Sequence, residues 1–156
     1  MKVKDLTPHQ LEQVIELECN NIIPILASVG IHLTEEMMRG EVESFKEDPI
    51  VLCLNGERVD GFVIYSYRED HVLIKTFNLR RFNSFNVLST LLNNIAKDLE
   101  QNNIDLVISH CHHTNQKSLN FHRRMGFVEA HSNEQHIEFH ATREGLLQTI
   151  ERRCSL

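Results

Sequence analysis

The sequence predicts one α/β domain spanning residues 1–156, in which helices flank a mixed, mainly antiparallel sheet. The length is sufficient for a single domain with a sizeable core. Asn55-Gly56, placed between two apolar runs, predicts a β-hairpin. Apolar residues at helical spacing over residues 87–99 lie between two predicted strands. This order of strand, long helix and strand implies a right-handed parallel crossover.

The first third of the chain predicts a short strand followed by two helices. Residues 2–6 have the pattern of a strand. Thr7 starts a helix, because Gln10 stands three residues later and completes a capping box. The apolar character of this helix continues past Pro24, where we expect the helix to bend or to divide. Thr34 then caps a second helix that has two glutamates in its first turn.

Strands dominate the middle of the chain. Residues 50–54 and 58–67 flank the hairpin turn, and a third strand over residues 71–78 completes an antiparallel meander. The amphipathic helix over residues 87–99 follows, and Val107 then lies in a β-branched apolar run that indicates a buried strand.

The last third of the chain predicts a capped helix, a hairpin and a terminal helix. Thr114 or Asn115 caps the first of these helices, and Gly126 stands where a residue with positive φ can end it. Residues 128–141 predict the hairpin, and residues 146–153 predict the short terminal helix.

The segment 115–127 reads NQKSLNFHRRMGF and resembles motif B of the GNAT acyltransferase superfamily. Asn115, the aromatic Phe121 and the pair Gly126-Phe127 match that motif in register, whereas His122 stands where the family usually has a tyrosine. The predicted order of elements is also similar to that of the GNAT fold, so the resemblance covers nearly the whole chain. It implies a GNAT-like sheet with a parallel β-α-β crossover. It also implies transfer of an acetyl group from acetyl-CoA, the co-substrate, to an amine.

The resemblance further implies a loop that holds the pyrophosphate of acetyl-CoA on backbone N–H groups at the start of the long helix. Aligning Leu91 and Leu92 with the paired apolar residues of the family places this loop at residues 83–88, which contain no glycine. Backbone donors do not depend on side-chain type, although Leu88 would obstruct the phosphates if it faced them. The residues implied in cofactor binding, including backbone that would polarise the thioester, are Phe77, Asn78, Leu79, Arg81, Asn83, Ser84, Phe85, Asn86, Val87, Leu88, Asn115 and Phe121.

Two histidines stand at positions that the resemblance implies are catalytic. His110 lies where related N-terminal acetyltransferases carry a glutamate base, and His122 replaces the tyrosine that usually serves as the acid. An unperturbed pKa of about 6.5 suits histidine to either role. The alternative is that His110 packs within the sheet and His122 lies on a helix surface, each without a chemical role. The strand over residues 71–78 lacks the carboxylate that a GNAT often places there.

Charge and composition limit the expected partners. The formal net charge of −6 argues against a nucleic-acid-binding surface. No apolar run is long enough to span a membrane, and the polar start of the chain lacks the apolar stretch of a signal peptide. Four widely spaced cysteines without a C-x-x-C pair are expected to be reduced thiols, so we predict a cytoplasmic protein. The expected partner is a small-molecule or peptide amine acceptor, and a homodimer stays open.

Two other classes of function stay open. The missing glycines and the missing strand carboxylate allow a non-catalytic GNAT-like binding or regulatory module. Ten histidines raise a metal-binding alternative, because His110 and His112 share one face of a strand, as do His136 and His140. No standard zinc spacing accompanies these pairs, so we assign no metal ligands.

Overall fold

The computed structural model describes residues 1–81 and 84–154, except for the side chains of residues 153 and 154. In chain order its elements are α1 Pro8–Ala27, α2 Glu35–Ser44, β1 Ile50–Asn55, β2 Arg58–Tyr67, β3 His71–Leu79, α3 Phe85–Gln101, β4 Leu106–His112, α4 Gln116–Arg124, β5 Val128–Ser132, β6 His136–Thr142 and α5 Arg143–Cys154. The strands form a six-stranded sheet in the order β1-β2-β3-β4-β6-β5. Among the described strands, β3 and β4 form the one parallel pair. The predicted mixed sheet and the crossover through α3 are confirmed.

The predicted strand over residues 2–6 is wrong. Val3–Asp5 form a 3-10 helix, and Lys2 makes an isolated bridge with Pro49. The carboxylate of Asp5 accepts a hydrogen bond from the Lys2 backbone N–H at 2.9 Å. This contact of an acidic side chain with nearby backbone favours a turn over an extended strand.

Of the two outcomes expected at Pro24, a bend or a division, the division does not occur, because Pro24 lies inside the single helix α1. A proline inside a helix removes one backbone hydrogen bond and costs about 3 kcal/mol. Hydrogen bonding resumes beyond it, since the Ser28 N–H donates to the Pro24 carbonyl at 3.2 Å. Val14, Ile15 and Leu17 pack the part of α1 before Pro24 against the sheet, and such packing stabilises a helix more than its intrinsic propensity does.

Two hydrophobic cores lie on opposite faces of the sheet. β2 contributes to both, because successive side chains of a strand point to opposite faces: Phe62 and Ile64 belong to one core, and Val63 and Tyr65 belong to the other. The first core packs α1 and α2 against β1 and β2, and the second packs α3, α4 and α5 against β2, β3, β4 and β6. None of the described helices is long and apolar enough to cross a membrane.

The start and the end of α4 follow the sequence prediction. Of the two predicted caps, Asn115 is the one used: its Oδ1 accepts a hydrogen bond from the Ser118 N–H at 3.1 Å. At the other end Gly126 has a φ of +87°. The Phe127 N–H then donates to the His122 carbonyl at 3.0 Å, which closes the helix in a Schellman motif.

β3 and β4 are paired only at one end. The pairs are His71 with Leu106, Val72 with Val107, and Leu73 with Ile108. Beyond them β3 stays paired with β2 as far as Leu79, and β4 stays paired with β6 as far as His112. The two strands therefore separate in the middle of the sheet, and we call the opening between them the central wedge. Along its described length the inner edges of the wedge have backbone groups without a strand partner, which a ligand could use.

Candidate active site

The central wedge opens into a cavity of about 540 Å³. Its wall is formed by residues of α1, β3, β4 and α4, with Glu41 of α2 and His136 of β6. The cavity brings together both predicted catalytic histidines, His110 and His122, and four of the predicted cofactor-binding residues, Phe77, Asn78, Asn115 and Phe121. Residues that are 45 positions apart in the sequence thus meet at one site.

The His122 side chain is buried in the wall of this cavity, so the alternative of a surface histidine is wrong. Its Nδ1 lies 2.6 Å from the Ser118 carbonyl oxygen, and its Nε2 lies 2.8 Å from the Ser109 hydroxyl oxygen. Burial lowers the pKa of His122, which favours the neutral ring. Because a carbonyl oxygen only accepts, Nδ1 carries the proton and Nε2 accepts a hydrogen bond from Ser109.

His110 is not packed within the sheet, since its side chain is 46% exposed at the edge of the cavity. Its Nε2 lies 3.0 Å from Oε1 of Glu138, the residue opposite it on β6. The Nε2 atom of His140 lies 2.8 Å from the other oxygen of Glu138. Hydrogen bonds from His140 and His110 lower the pKa of Glu138. The lowered pKa favours the ionised carboxylate, and its contact with Nε2 fixes the orientation of the His110 ring.

The histidines of β4 and β6 are not arranged as a group of three or more metal ligands. In residues 1–81 and 84–152, no group of three or more His, Cys, Asp or Glu could hold an ion. His112 and His136 pack ring against ring instead, edge to face, with centres 5.4 Å apart. The metal-binding alternative therefore has no geometric support among these residues.

A buried carboxylate that sequence reasoning did not assign stands in the same cavity. Glu18 of α1 is only 5% exposed, and it lines the cavity. The Thr76 hydroxyl donates to its Oε2 at 2.7 Å, and the Asn78 side-chain amide donates to the same oxygen. Asn21 donates in turn to Oδ1 of Asn78 at 2.8 Å. Burial raises the pKa of Glu18 to about 7, and repulsion from Glu41 adds to this effect.

The sequence does contain a signal for Glu18. It follows Val14 by four positions and Ile15 by three, so it occupies the apolar stripe with which α1 faces the sheet. A carboxylate on such a stripe requires polar partners where it is buried. Those partners, Thr76 and Asn78, are 58 and 60 positions away, which is why the local pattern could not identify them.

Several of the predicted cofactor-binding side chains face the core. Leu79, Val87 and Leu88 are buried there, so Leu88 does not obstruct a ligand at the helix start. Phe77 and Phe121 form an edge-to-face pair in the cavity wall, with ring centres 5.1 Å apart. The Leu88 N–H is also engaged, since it donates to the Ser84 carbonyl at 3.2 Å.

The remaining predicted cofactor-binding residues lie near the start of α3, except that Asn83 lies outside the described residues. Ser84 is the N-cap of α3, but its side chain makes no capping hydrogen bond, and Phe85 and Asn86 open the first turn. Backbone N–H groups in the first turn of a helix have no partner within the helix, so they favour an anion. Arg81 lines a separate cavity of about 160 Å³ beside this helix start, together with Ser84.

The sequence matches no protein-family model, and no curated protein matches it. Solved structures, however, resemble it over most of their length. The PaiA N-acetyltransferase of Thermoplasma acidophilum, in complex with coenzyme A, has a TM-score of 0.68 and 14% identity, over 91% of this chain and 95% of that one. An aminoglycoside 6'-N-acetyltransferase complexed with coenzyme A has a TM-score of 0.69 and 12% identity, over 92% and 96%. The ribosomal-protein-S18-alanine N-acetyltransferase of Escherichia coli has a TM-score of 0.63 and 12% identity, over 88% and 90%.

These likenesses confirm the fold that the segment 115–127 predicts: the chain has the fold of the GNAT N-acetyltransferases. At 12–14% identity they establish the fold alone. What the protein does with this fold depends on the residues of the central wedge.

Proposed function

We propose that the protein transfers an acetyl group from acetyl-CoA to an amine. The observation that carries the proposal is the central wedge, where the buried Glu18 and His122 line a cavity beside strand edges without a partner. Its volume of about 540 Å³ lies within the roughly 300–1,000 Å³ that small-molecule sites occupy. The PaiA and aminoglycoside enzymes were solved with coenzyme A, which supports the same co-substrate here.

The wedge and the start of α3 offer donors for the two ends of acetyl-CoA. Backbone N–H groups of residues 77–79 that point into the wedge would polarise the thioester carbonyl. The first turn of α3 would receive the pyrophosphate, and Arg81 would add a charge-assisted contact. His122 stays the proposed acid for the leaving thiolate, acting with the Ser109 hydroxyl that it holds at 2.8 Å. His110 is the base that the resemblance implies.

The distribution of charge supports a cationic acceptor. Residues 1–48 contain ten acidic and four basic residues, whereas residues 49–156 contain twelve of each. The entire net charge of −6 therefore lies in the part of the chain that includes α1 and α2. Glu18 and Glu41 of this part of the chain line the cavity, together with Lys75 and Lys117. Polyamines and aminoglycosides are amines with several positive charges, so they are the acceptors to screen first.

Thermal unfolding with and without acetyl-CoA tests the co-substrate. A ligand at 100 times its Kd stabilises the folded state by about 2.7 kcal/mol, which corresponds to a rise in Tm of roughly 5–10 °C for a domain of this size. Release of the coenzyme A thiol in the presence of spermidine or kanamycin then measures transfer. No rise in Tm at millimolar acetyl-CoA would refute the proposal.

A pair of matched variants tests where the pyrophosphate binds. Asn86 and Asn93 are both exposed on α3, Asn86 in the first turn and Asn93 about two turns later. Asn86→Asp adds a negative charge that suits the helix start but repels a phosphate. We expect it to weaken acetyl-CoA binding by about 1–2 kcal/mol, roughly 5- to 30-fold in Kd. Asn93→Asp should leave the Kd unchanged, and equal values for the two variants would place the pyrophosphate elsewhere.

The absence of glycine from residues 83–88 favours a second candidate, a non-catalytic GNAT-like binding module. Such a module would bind acetyl-CoA without releasing its thiol. Stabilisation by acetyl-CoA, combined with no thiol release for spermidine, kanamycin or a peptide with a free N-terminus, would favour the module over the enzyme.

A further inference from the structure

The carboxylate that β3 lacks is supplied by another element of the fold. Residues 72–78 of β3 read VLIKTFN and contain no acidic residue. Glu18 of α1 places its carboxylate against this strand, in contact with Thr76 and Asn78. We infer that Glu18, in place of His110, is the general base that takes the proton from the ammonium group of the acceptor. This inference rests on the acetyl transfer proposed above.

The contacts of Glu18 hold one of its oxygens and leave the other for a ligand. Thr76 and Asn78 both donate to Oε2, and Asn21 fixes the Asn78 amide by donating to its Oδ1 at 2.8 Å. No side-chain or backbone group of the described residues donates to Oε1, although the residue lines the cavity. A carboxylate oxygen that has no donor and reaches a cavity is a binding position for a cationic N–H donor.

One base at this position is sufficient for the transfer of an acetyl group to an ammonium acceptor. Oε1 of the Glu18 carboxylate takes one proton from the acceptor ammonium, and the nitrogen lone pair then forms a C–N bond with the thioester carbon. The C–S bond breaks as the carbonyl re-forms, and the coenzyme A thiolate leaves. The second proton of the nitrogen reaches the thiolate through the Ser109–His122 pair, which ends the step unchanged, and Glu18 returns its own proton to solvent. The products are an amide, coenzyme A thiol and one proton.

The surroundings of Glu18 suit a base that works near neutral pH. Burial raises its pKa to about 7, close to the value at which a base is both deprotonated and able to hold a proton. Hydrogen bonds from Thr76 and Asn78 favour the ionised form, so they lower the pKa and partly offset the effect of burial. The other titratable or charged groups that line the cavity are Glu41 of α2, Lys75 of β3, His110, Cys111 and His112 of β4, Lys117 and His122 of α4, and His136 of β6.

His110 is less suited to the same role. Its side chain is 46% exposed, and its Nε2 is engaged with Glu138 at 3.0 Å. Glu18, by contrast, is removed from bulk water and held by donors from β3. Both side chains are held in place, but Glu18 is also shielded from water and leaves a carboxylate oxygen open to the acceptor.

Steady-state kinetics with acetyl-CoA and spermidine between about pH 5.5 and 9 test the inference. The variants are Glu18→Gln, His110→Ala and the control Glu16→Gln, which alters an exposed glutamate of the same helix. The wild type should lose activity below a midpoint near pH 7. Glu18→Gln should lower kcat about 100-fold at pH 8, lack this acid limb and bind acetyl-CoA with unchanged Kd. Glu16→Gln and His110→Ala should keep the acid limb.

A second acceptor separates the role of a base from a structural role. Hydroxylamine is unprotonated at neutral pH, so its acetylation needs no base, and Glu18→Gln should acetylate it at the wild-type rate. A Glu18→Gln variant that stays within threefold of wild type with spermidine, or that also loses the hydroxylamine reaction, would overturn the inference alone. A wild-type protein that releases no thiol with any of these acceptors would overturn the proposed function and the base with it.

Discussion

Replacing Glu18 with glutamine should change how the stability of the protein depends on pH. Glutamine keeps the shape of the side chain, and its oxygen can accept the same hydrogen bonds from Thr76 and Asn78, but it cannot ionise. The native carboxyl is only 5% exposed, and its burial raises the pKa to about 7. The variant therefore removes a carboxyl group that ionises at a higher pH in the folded protein than in the unfolded chain.

The size of the effect follows from the pKa in the two states. The unfolded chain ionises Glu18 near pH 4.5, whereas the folded protein keeps it protonated up to about pH 7. In this interval unfolding releases a proton, so the free energy of unfolding falls as the pH rises. At about 1.4 kcal/mol per pH unit, the interval corresponds to about 3 kcal/mol. Glu18→Gln should be more stable than the wild type by about this amount at pH 8, and similar to it at about pH 4.

Urea unfolding at a series of pH values from about 4 to 8 measures the effect. Other titrating groups contribute equally to wild type and variant, so the difference between them isolates position 18. We expect this difference to grow with pH for Glu18→Gln and to stay flat for the exposed control Glu16→Gln. A Glu18→Gln protein that loses stability at pH 8, or a difference that does not vary with pH, would show that the folded protein holds Glu18 ionised.

The remaining predictions concern α4 and its end. His122→Phe leaves the Ser109 hydroxyl without the acceptor that it has at 2.8 Å, so we expect a loss of about 1–3 kcal/mol in urea unfolding and a fall in kcat with nearly unchanged acetyl-CoA affinity. An unchanged kcat would remove His122 from the mechanism. Gly126→Ala should cost about 1–3 kcal/mol, because φ is +87° and the new Cβ would lie 2.7 Å from Thr149 Oγ1. The control Gly40→Ala, inside α2 with no atom within 4 Å, should instead stabilise by about 0.5–1 kcal/mol, and equal effects in the two variants would contradict the account of Gly126.

Elements with strong local signals were predicted correctly. The hairpin at Asn55-Gly56 is present, although its two turn residues are Gly56 and Glu57 and Asn55 pairs with Arg58. Gly56 has the positive φ, +61°, that a tight hairpin needs at that place. The cap at Thr34 is also confirmed, since its hydroxyl accepts from the Met37 N–H at 3.2 Å. Turns and caps depend on a few neighbouring residues, so their signals are contained in the sequence nearby.

Elements whose outcome depends on distant packing were predicted poorly. Residues 2–6 have the composition of a strand, but only an isolated bridge from Lys2 reaches the rest of the sheet. Pro24 could have bent or divided α1, and the structure keeps it inside one continuous helix. Leu88 could have faced the cofactor or the core, and the rotation of α3 on the sheet places it in the core.

The sequence by itself determined the order of the elements from α1 onward, the start of α2, both ends of α4, the apolar face of α3, and the resemblance that places His122 on α4. These features follow from periodicity and from contacts between near neighbours. Only the tertiary structure decided that β6 lies between β4 and β5, that Ser109 meets His122, and that Glu18 of α1 supplies a carboxylate to β3. Local patterns specify which face of an element is apolar, but which faces meet is decided when the whole chain packs. The chemistry proposed for the central wedge depends on contacts between elements that are distant in the sequence.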